Sequence, residues 1–199
     1  MATKEDILEQ IVEEYLLHKG YFVRHNIKFL PHPDHPDYIK IQDSNHSDID
    51  VIGYNPNLKG KNKVMVVSCK SWQGGFNPDA ELRYIKEGRV IRGREAWKAF
   101  RELVVPKWSE AFLTAIEEAT GQRTFTYILA VTKVNGDRKG WESDPGFLMR
   151  IEGNPIRIIE FSQIVNEIFP DLGTTLASTE VGRMLQLFKA SGMELNALQ

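Results

Sequence analysis

From Glu5 to Lys19 the apolar residues Leu8, Ile11, Val12, Tyr15 and Leu16 recur at helical spacing, and Gly20 follows them. That pattern predicts an amphipathic helix with a glycine stop. Tyr21-Phe22-Val23 then begins an extended segment, while Pro31, Pro33 and Pro36 exclude regular structure from the run to Asp37, which reads as a loop. Two β-branched runs follow, Asp48 to Tyr54 and Val64 to Lys70, joined by Asn55-Pro56-Asn57-Leu58-Lys59-Gly60. A turn-rich connection between two such runs predicts an antiparallel hairpin. The second run is apolar on both faces, as an interior strand is.

Gln73-Gly74-Gly75-Phe76-Asn77-Pro78 breaks the chain. Beyond it the pattern predicts a long helical region, roughly Asp79 to Thr120, interrupted ahead of Pro106. Trp97, Phe100, Val104, Trp108, Phe112 and Ile116 keep an approximately helical period there and read as core packing. Phe125 to Val134 and Ile156 to Phe161 are predicted strands, and Ser162 to Phe169 is a short helix with Ser162 as N-cap. Ser178 to Ala190, with Val181, Leu185 and Phe188, is a final amphipathic helix. No internal repeat or low-complexity stretch is visible. Strands and helices in this order predict a mixed α/β fold: one domain over residues 1–170, with a helical insert at about 79–120, and a C-terminal helical extension over 171–199.

A chain of 199 residues, 42% apolar and 26% charged, has the make-up of an ordinary globular protein with its own core. The net charge of -2 does not advertise a polyanion-binding protein, so local charge must carry any such claim. Met1 to Gln10 has no apolar leader core, and no stretch approaches the ~18 apolar residues of a membrane span, so a cytoplasmic protein without membrane contact is expected. The single cysteine, Cys69, excludes an internal disulfide framework and a cysteine-rich zinc site.

The candidate chemistry lies on the hairpin. Side chains two apart on a strand share a face, so Ser68 and Lys70 project together, Cys69 points away, and Asp48 and Asp50 share a face of the preceding strand. A lysine in so apolar a strand wants a carboxylate partner or solvent, and Asp50 is the nearest candidate.

Asp50, a strand, a turn, and the run ending Val67-Ser68-Cys69-Lys70-Ser71-Trp72 resemble the signature of the PD-(D/E)XK nuclease superfamily. Gly20-Tyr21-Phe22-Val23, with Glu9 on the preceding helix, is similar to the corresponding turn in Mrr-like endonucleases and archaeal Holliday-junction resolvases. The resemblance covers roughly Leu8 to Trp72 and implies a restriction-endonuclease-like mixed β-sheet flanked by helices. It implies hydrolysis of DNA phosphodiester bonds assisted by Mg²⁺ or Mn²⁺, in restriction, defence or repair. It makes Asp50 the principal metal ligand, with the carbonyl of Cys69 as a second and Glu9 completing the set; Glu13, one turn on, is the reserve. It makes Lys70 the group that orients or deprotonates water and stabilises charge on phosphorus.

Ser68 stands where the superfamily carries an acidic residue, and a hydroxyl is a poorer ligand for Mg²⁺ than a carboxylate. A carboxylate from the following helical region, Glu81 or Glu87, is one replacement, since migration of this residue onto a helix occurs in the superfamily. The alternative is a catalytically inert pseudonuclease that binds DNA or a partner. A homodimer built on the final helix, or partner subunits in a defence or transposition complex, is also implied.

Lys86, Arg89, Arg92, Arg94, Lys98 and Arg101 concentrate positive charge after the motif, where they could bind DNA phosphates. Glu81, Glu87, Glu95 and Glu102 are interleaved with them, so an ion-paired solvated face remains equally open. His32, Asp34, His35 and Asp37 read as a surface loop rather than a metal cluster, and His46 is an additional acid or base candidate. Trp72 reads as core and Gln73-Gly74-Gly75 as a turn.

Overall fold

The computed structural model describes residues 6–91 and 93–193. Helix α1 (Ile7–His18) begins at Asp6, whose carboxylate accepts from the Leu8 N–H at 2.8 Å, so the N-cap lies inside the segment the periodicity predicts. Strand β1 (Phe22–Phe29) is followed by the proline loop and a one-turn helix, α2 (Lys40–Asp43). Strands β2 (Ser47–Tyr54) and β3 (Val64–Lys70) form the expected antiparallel hairpin.

The predicted long helix is instead several pieces. Helix α3 (Pro78–Lys86) ends at Glu87-Gly88, and a small hairpin of β4 (Val90–Ile91) and β5 (Arg94–Glu95) follows. A 3-10 turn (Ala96–Phe100) and α4 (Arg101–Val104) lead to α5 (Pro106–Thr120). Adjacent β-branched Val90-Ile91 beside glycines at 88 and 93 favours extended structure over helix, and this local chemistry overrides the longer aromatic period. The break ahead of Pro106 is where it was expected, with Val105 extended.

Strand β6 (Thr126–Val131), helices α6 (Lys139–Glu142) and α7 (Pro145–Arg150), strand β7 (Ile156–Glu160), α8 (Phe161–Ile168) and α9 (Glu180–Ala190) complete the chain. The cap of α8 is Glu160, not Ser162: Glu160 and Gln163 bond reciprocally across the first turn in a capping box.

The fold is a five-stranded mixed sheet, β1-β2-β3-β6-β7, flanked by helices. β1, β2 and β3 run antiparallel, whereas β3, β6 and β7 are parallel. Strand β6, between β3 and β7, is buried at every position. On one face, Val51, Val67, Ile128 and Ala130 pack against α1, α8 and α9. On the other, Ile52, Val66, Tyr127 and Leu129 pack with Trp108, Phe112 and Ile116 of α5, together with Phe100, Trp141 and Phe147. Thus α5, within the segment expected as an insert, is a layer of the core. The predicted C-terminal extension docks too: Val181 and Leu185 of α9 are buried against the α1 side. Among the described residues no helix is long and apolar enough to cross a membrane.

Candidate active site

The β2–β3 ladder runs from Tyr54↔Val64 to Val51↔Val67 and stops there. Continuing the register would set Asp50 opposite Ser68; instead the strands part. The Cys69 N–H donates to Asp50 Oδ2 at 2.6 Å, so a side chain replaces the missing backbone acceptor. On the other side of β2 the β1 ladder also skips this level: pairing resumes at Ile27↔Ile49 after His25↔Val51, and Asn26 has φ 53°. The alternation resets here. Val51 belongs to the α1-side core, but Ile49 joins Ile52 in the opposite one. Both neighbours of Asp50 therefore leave it, and a cleft opens at the split.

Strand alternation places Ser68 and Lys70 in this cleft and turns Cys69 toward the α1-side core, as expected. Lys70 Nζ donates to Ser68 Oγ at 3.0 Å and lies 5.9 Å from the centre of the Phe100 ring. The lysine's hydrogen bond thus goes to the hydroxyl at the position where the resemblance expects an acid.

A further carboxylate in the cleft comes from α4. Glu102 is buried and lines the same cleft as Asp50, Ser68 and Lys70. Tyr127 on β6 donates its hydroxyl to Glu102 Oε1 at 2.7 Å. Burial pushes the Glu102 carboxyl above its ordinary range, the Lys70 ammonium and the Tyr127 hydrogen bond pull it back, and Asp50 adds to the rise. Burial raises Asp50 as well, opposed by Lys70 and the Cys69 N–H, with Asp48 and Asp6 adding to the rise. Two desolvated carboxylates thus share one lysine. Cys69 is held well above its usual value by burial and by the charges of Asp50 and Glu9, which excludes it as a thiolate nucleophile.

The cleft has a volume of about 950 Å³. Asp50, Ser68, Lys70 and Glu102 line it together with Arg94, Lys98 and Arg101. Arg101 is fixed by its guanidinium, 4.3 Å from the centre of the Trp108 ring. Lys98 pairs with Glu95 at 2.7 Å. His46, Asp48, Trp72 and the turn Gln73-Gly74-Gly75 also line the cleft. Trp72 is in part the core residue expected, meeting Phe100 edge-on and Phe76 at a tilt.

Other sequence-derived candidates fall elsewhere. Glu9 lies on α1, where its charge reaches Cys69, and is not among the residues lining the cleft. The Glu13 carboxylate is 3.2 Å from His25 Nε2, out of line for a hydrogen bond, and does not line the cleft either. Of the two proposed replacements, Glu81 lines the cleft while Glu87 pairs with Arg89 at 2.7 Å on the surface. Lys86 bonds Asp144 at 2.9 Å away from the cleft, and Arg92 lies outside the described residues. The His32 and His35 rings accept from the backbone N–H groups of Asp34 and Asp37, which makes them turn formers.

Glu102 is the residue that sequence reasoning passed over. Its signal was a carboxylate set among Phe100, Leu103 and Val104, a neighbourhood too apolar for a solvated face. Among the described residues no three or more His, Cys, Asp or Glu side chains are grouped so as to hold a metal ion. Compared with known proteins, the chain matches no family model, no curated protein and no solved structure.

Proposed function

We propose that this chain is a divalent-metal-dependent nuclease of the PD-(D/E)XK type that hydrolyses DNA phosphodiester bonds, with Glu102 in place of the acid absent at Ser68. The observation that carries the reading is the meeting of Asp50, Lys70 and Glu102 where β2 and β3 part. Two carboxylates against one ammonium leave a local excess of negative charge that suits a cation, and their oxygens suit hard Mg²⁺ or Mn²⁺. Asp50 and Glu102 would hold the ion, with neutral oxygens such as the Ser68 hydroxyl or the Cys69 carbonyl beside them. Such an ion supplies Lewis-acid polarisation of the phosphate and an acidified water.

The chain's own groups do the rest. Lys70 is placed by Ser68 to donate to a phosphate oxygen or to an attacking water, so positive charge stands ready where negative charge develops. Arg94, Lys98 and Arg101 meet the flanking phosphates, the usual origin of affinity for nucleic acid.

One observation favours a second reading. Lys70 is bonded to a neutral hydroxyl, a resting arrangement equally suited to a pseudonuclease that binds DNA without cutting it. Cleavage of plasmid and oligonucleotide substrates with Mg²⁺ and with Mn²⁺ decides between the two. A working enzyme cuts only with metal and loses that activity in Asp50→Ala, Lys70→Ala and Glu102→Gln. A silent wild type whose Ser68→Glu variant cuts would establish the pseudonuclease.

A further inference from the structure

Between Arg83 and Arg101 the sequence carries seven basic residues against two acidic ones, in a chain whose net charge is -2. The β4–β5 hairpin projects from the middle of this stretch. It is its own two-stranded sheet, pairing Val90↔Glu95 and Ile91↔Arg94 across a short connection. Gly93, at φ 77°, takes the left-handed conformation that such a short connection requires. The base is tied down: Arg89 N–H donates to Tyr84 O and Ala96 N–H to Arg89 O, both at 2.9 Å.

An isolated two-stranded ribbon has little to hold it and normally hides its apolar side chains. This one does the opposite, with Val90 64% and Ile91 37% exposed. Ile91, Arg94 and Glu95 line the wall of the Asp50–Lys70–Glu102 cleft, so the ribbon is continuous with it.

We infer that the β4–β5 hairpin is an arm that enters the major groove of duplex DNA, with Ile91 contacting base edges while Arg89 and Arg94, on the same face of the ribbon, meet the phosphates on either side. This rests on reading the cleft as a nucleic-acid site. A two-stranded ribbon fits the major groove, and aliphatic side chains there read the thymine methyl group. The excess of arginine and lysine around the ribbon matches a polyanion. Two exposed aliphatic residues are far too few for the core of a stable protein interface.

The test is binding rather than cutting. Full-length protein in EDTA is titrated by fluorescence anisotropy against a short labelled duplex and against one of its strands, with Ile91→Ser, which leaves no methyl group, compared to the parent. Ile91 is exposed, so serine there removes no core packing and the thermal melt stays in place. The parent is expected to bind duplex better than single strand, and the variant to lose roughly tenfold on duplex while changing less than about twofold on single strand. Equal loss on both substrates, no loss on either, or a parent that fails to bind duplex would each overturn the inference. A wild type that binds in this way and never cuts would remove the nuclease reading and leave the arm in place.

Discussion

The Tyr127 hydroxyl, on strand β6, donates to the Glu102 carboxylate at 2.7 Å, and both side chains are buried. Strand β6 thereby fixes a cleft carboxylate that neither strand of the β2–β3 hairpin supplies. Tyr127→Phe removes the donor and leaves a buried acceptor short of a partner, a loss of about 1–3 kcal/mol in urea denaturation. If Tyr127 positions Glu102, the rate at saturating substrate also falls, about tenfold, and raising the Mn²⁺ concentration recovers part of it. An unchanged rate beside reduced stability would assign Tyr127 a structural role alone.

Glu102 itself is held against its own solvation. Because burial raises its pKa in the folded protein, folding favours the protonated form, so the carboxyl's contribution is fully present below the unfolded value near 4.5 and declines as pH rises toward the folded value. Glu102→Gln keeps an acceptor for Tyr127 and removes the charge. At neutral pH the variant should melt at the same temperature as the parent or higher, and the two melts should converge near pH 4. Cleavage, by contrast, should fall by at least ~100-fold, the scale of losing an electrostatic catalytic group. A variant that is both less stable and still active would show that Glu102 serves packing and not chemistry.

How much of this was legible in the sequence follows from where the information lies. α1, the β2–β3 hairpin and the facing of Ser68 and Lys70 are local matters of period and turn chemistry, and the structure has them as read. The skip in the β1–β2 ladder beside Asp50 falls at Asn26, whose positive φ is a backbone angle that no hydrophobic pattern records. Glu102 reaches the cleft because the chain turns back through the β4–β5 hairpin between α3 and α4. Reading residues 79–120 as helix broken only ahead of Pro106 hid that turn, and with it the return of Glu102 toward β3. Arg94 and Lys98 line the cleft, Lys98 paired with Glu95, whereas Lys86 pairs with Asp144 away from it and Arg89 forms an exposed pair with Glu87.

A second buried charge is purely structural. Asp43 on α2 accepts from Lys107 Nζ at 2.6 Å, Trp108 Nε1 at 3.1 Å and the Ile39 N–H at 2.7 Å, and both ionic side chains are buried. This knot fastens the proline loop to α5. Burial pushes the Asp43 carboxyl up, but the bonds from Lys107, Ile39 and Trp108 outweigh it and hold the pKa below its ordinary value. The resulting stability is therefore fully present above about pH 4 and is lost as pH falls through the depressed value. Asp43→Ala strands the Lys107 ammonium in the interior at a cost of about 3–5 kcal/mol. Asp43→Ala/Lys107→Met should recover much of that loss in the same denaturation experiment, and a double variant as unstable as the single would count against an ion-pair origin.

The last helix is seated by a contact without slack. Thr179 N–H donates to Glu14 Oε1 at 2.6 Å, capping α9 with a carboxylate from α1, and Gly182 lies directly over that carboxylate. A Cβ at Gly182 would meet Glu14 Cδ and Oε1 at 2.6 Å and Ala177 Cβ at 2.8 Å. Gly182→Ala removes a poor helix former, which on an exposed face would stabilise α9 by about 1 kcal/mol. Here the overlap wins, because the Glu14 end that must move is the one bonded to Thr179, and overpacking of this kind costs about 1–3 kcal/mol. Limited proteolysis is the measurement: the variant should be cut between α8 and α9 faster than the parent, and Glu14→Gln, which keeps the acceptor but weakens the bond, should lie between them. A Gly182→Ala protein more resistant than the parent would mean that α9 is held by Val181 and Leu185 alone.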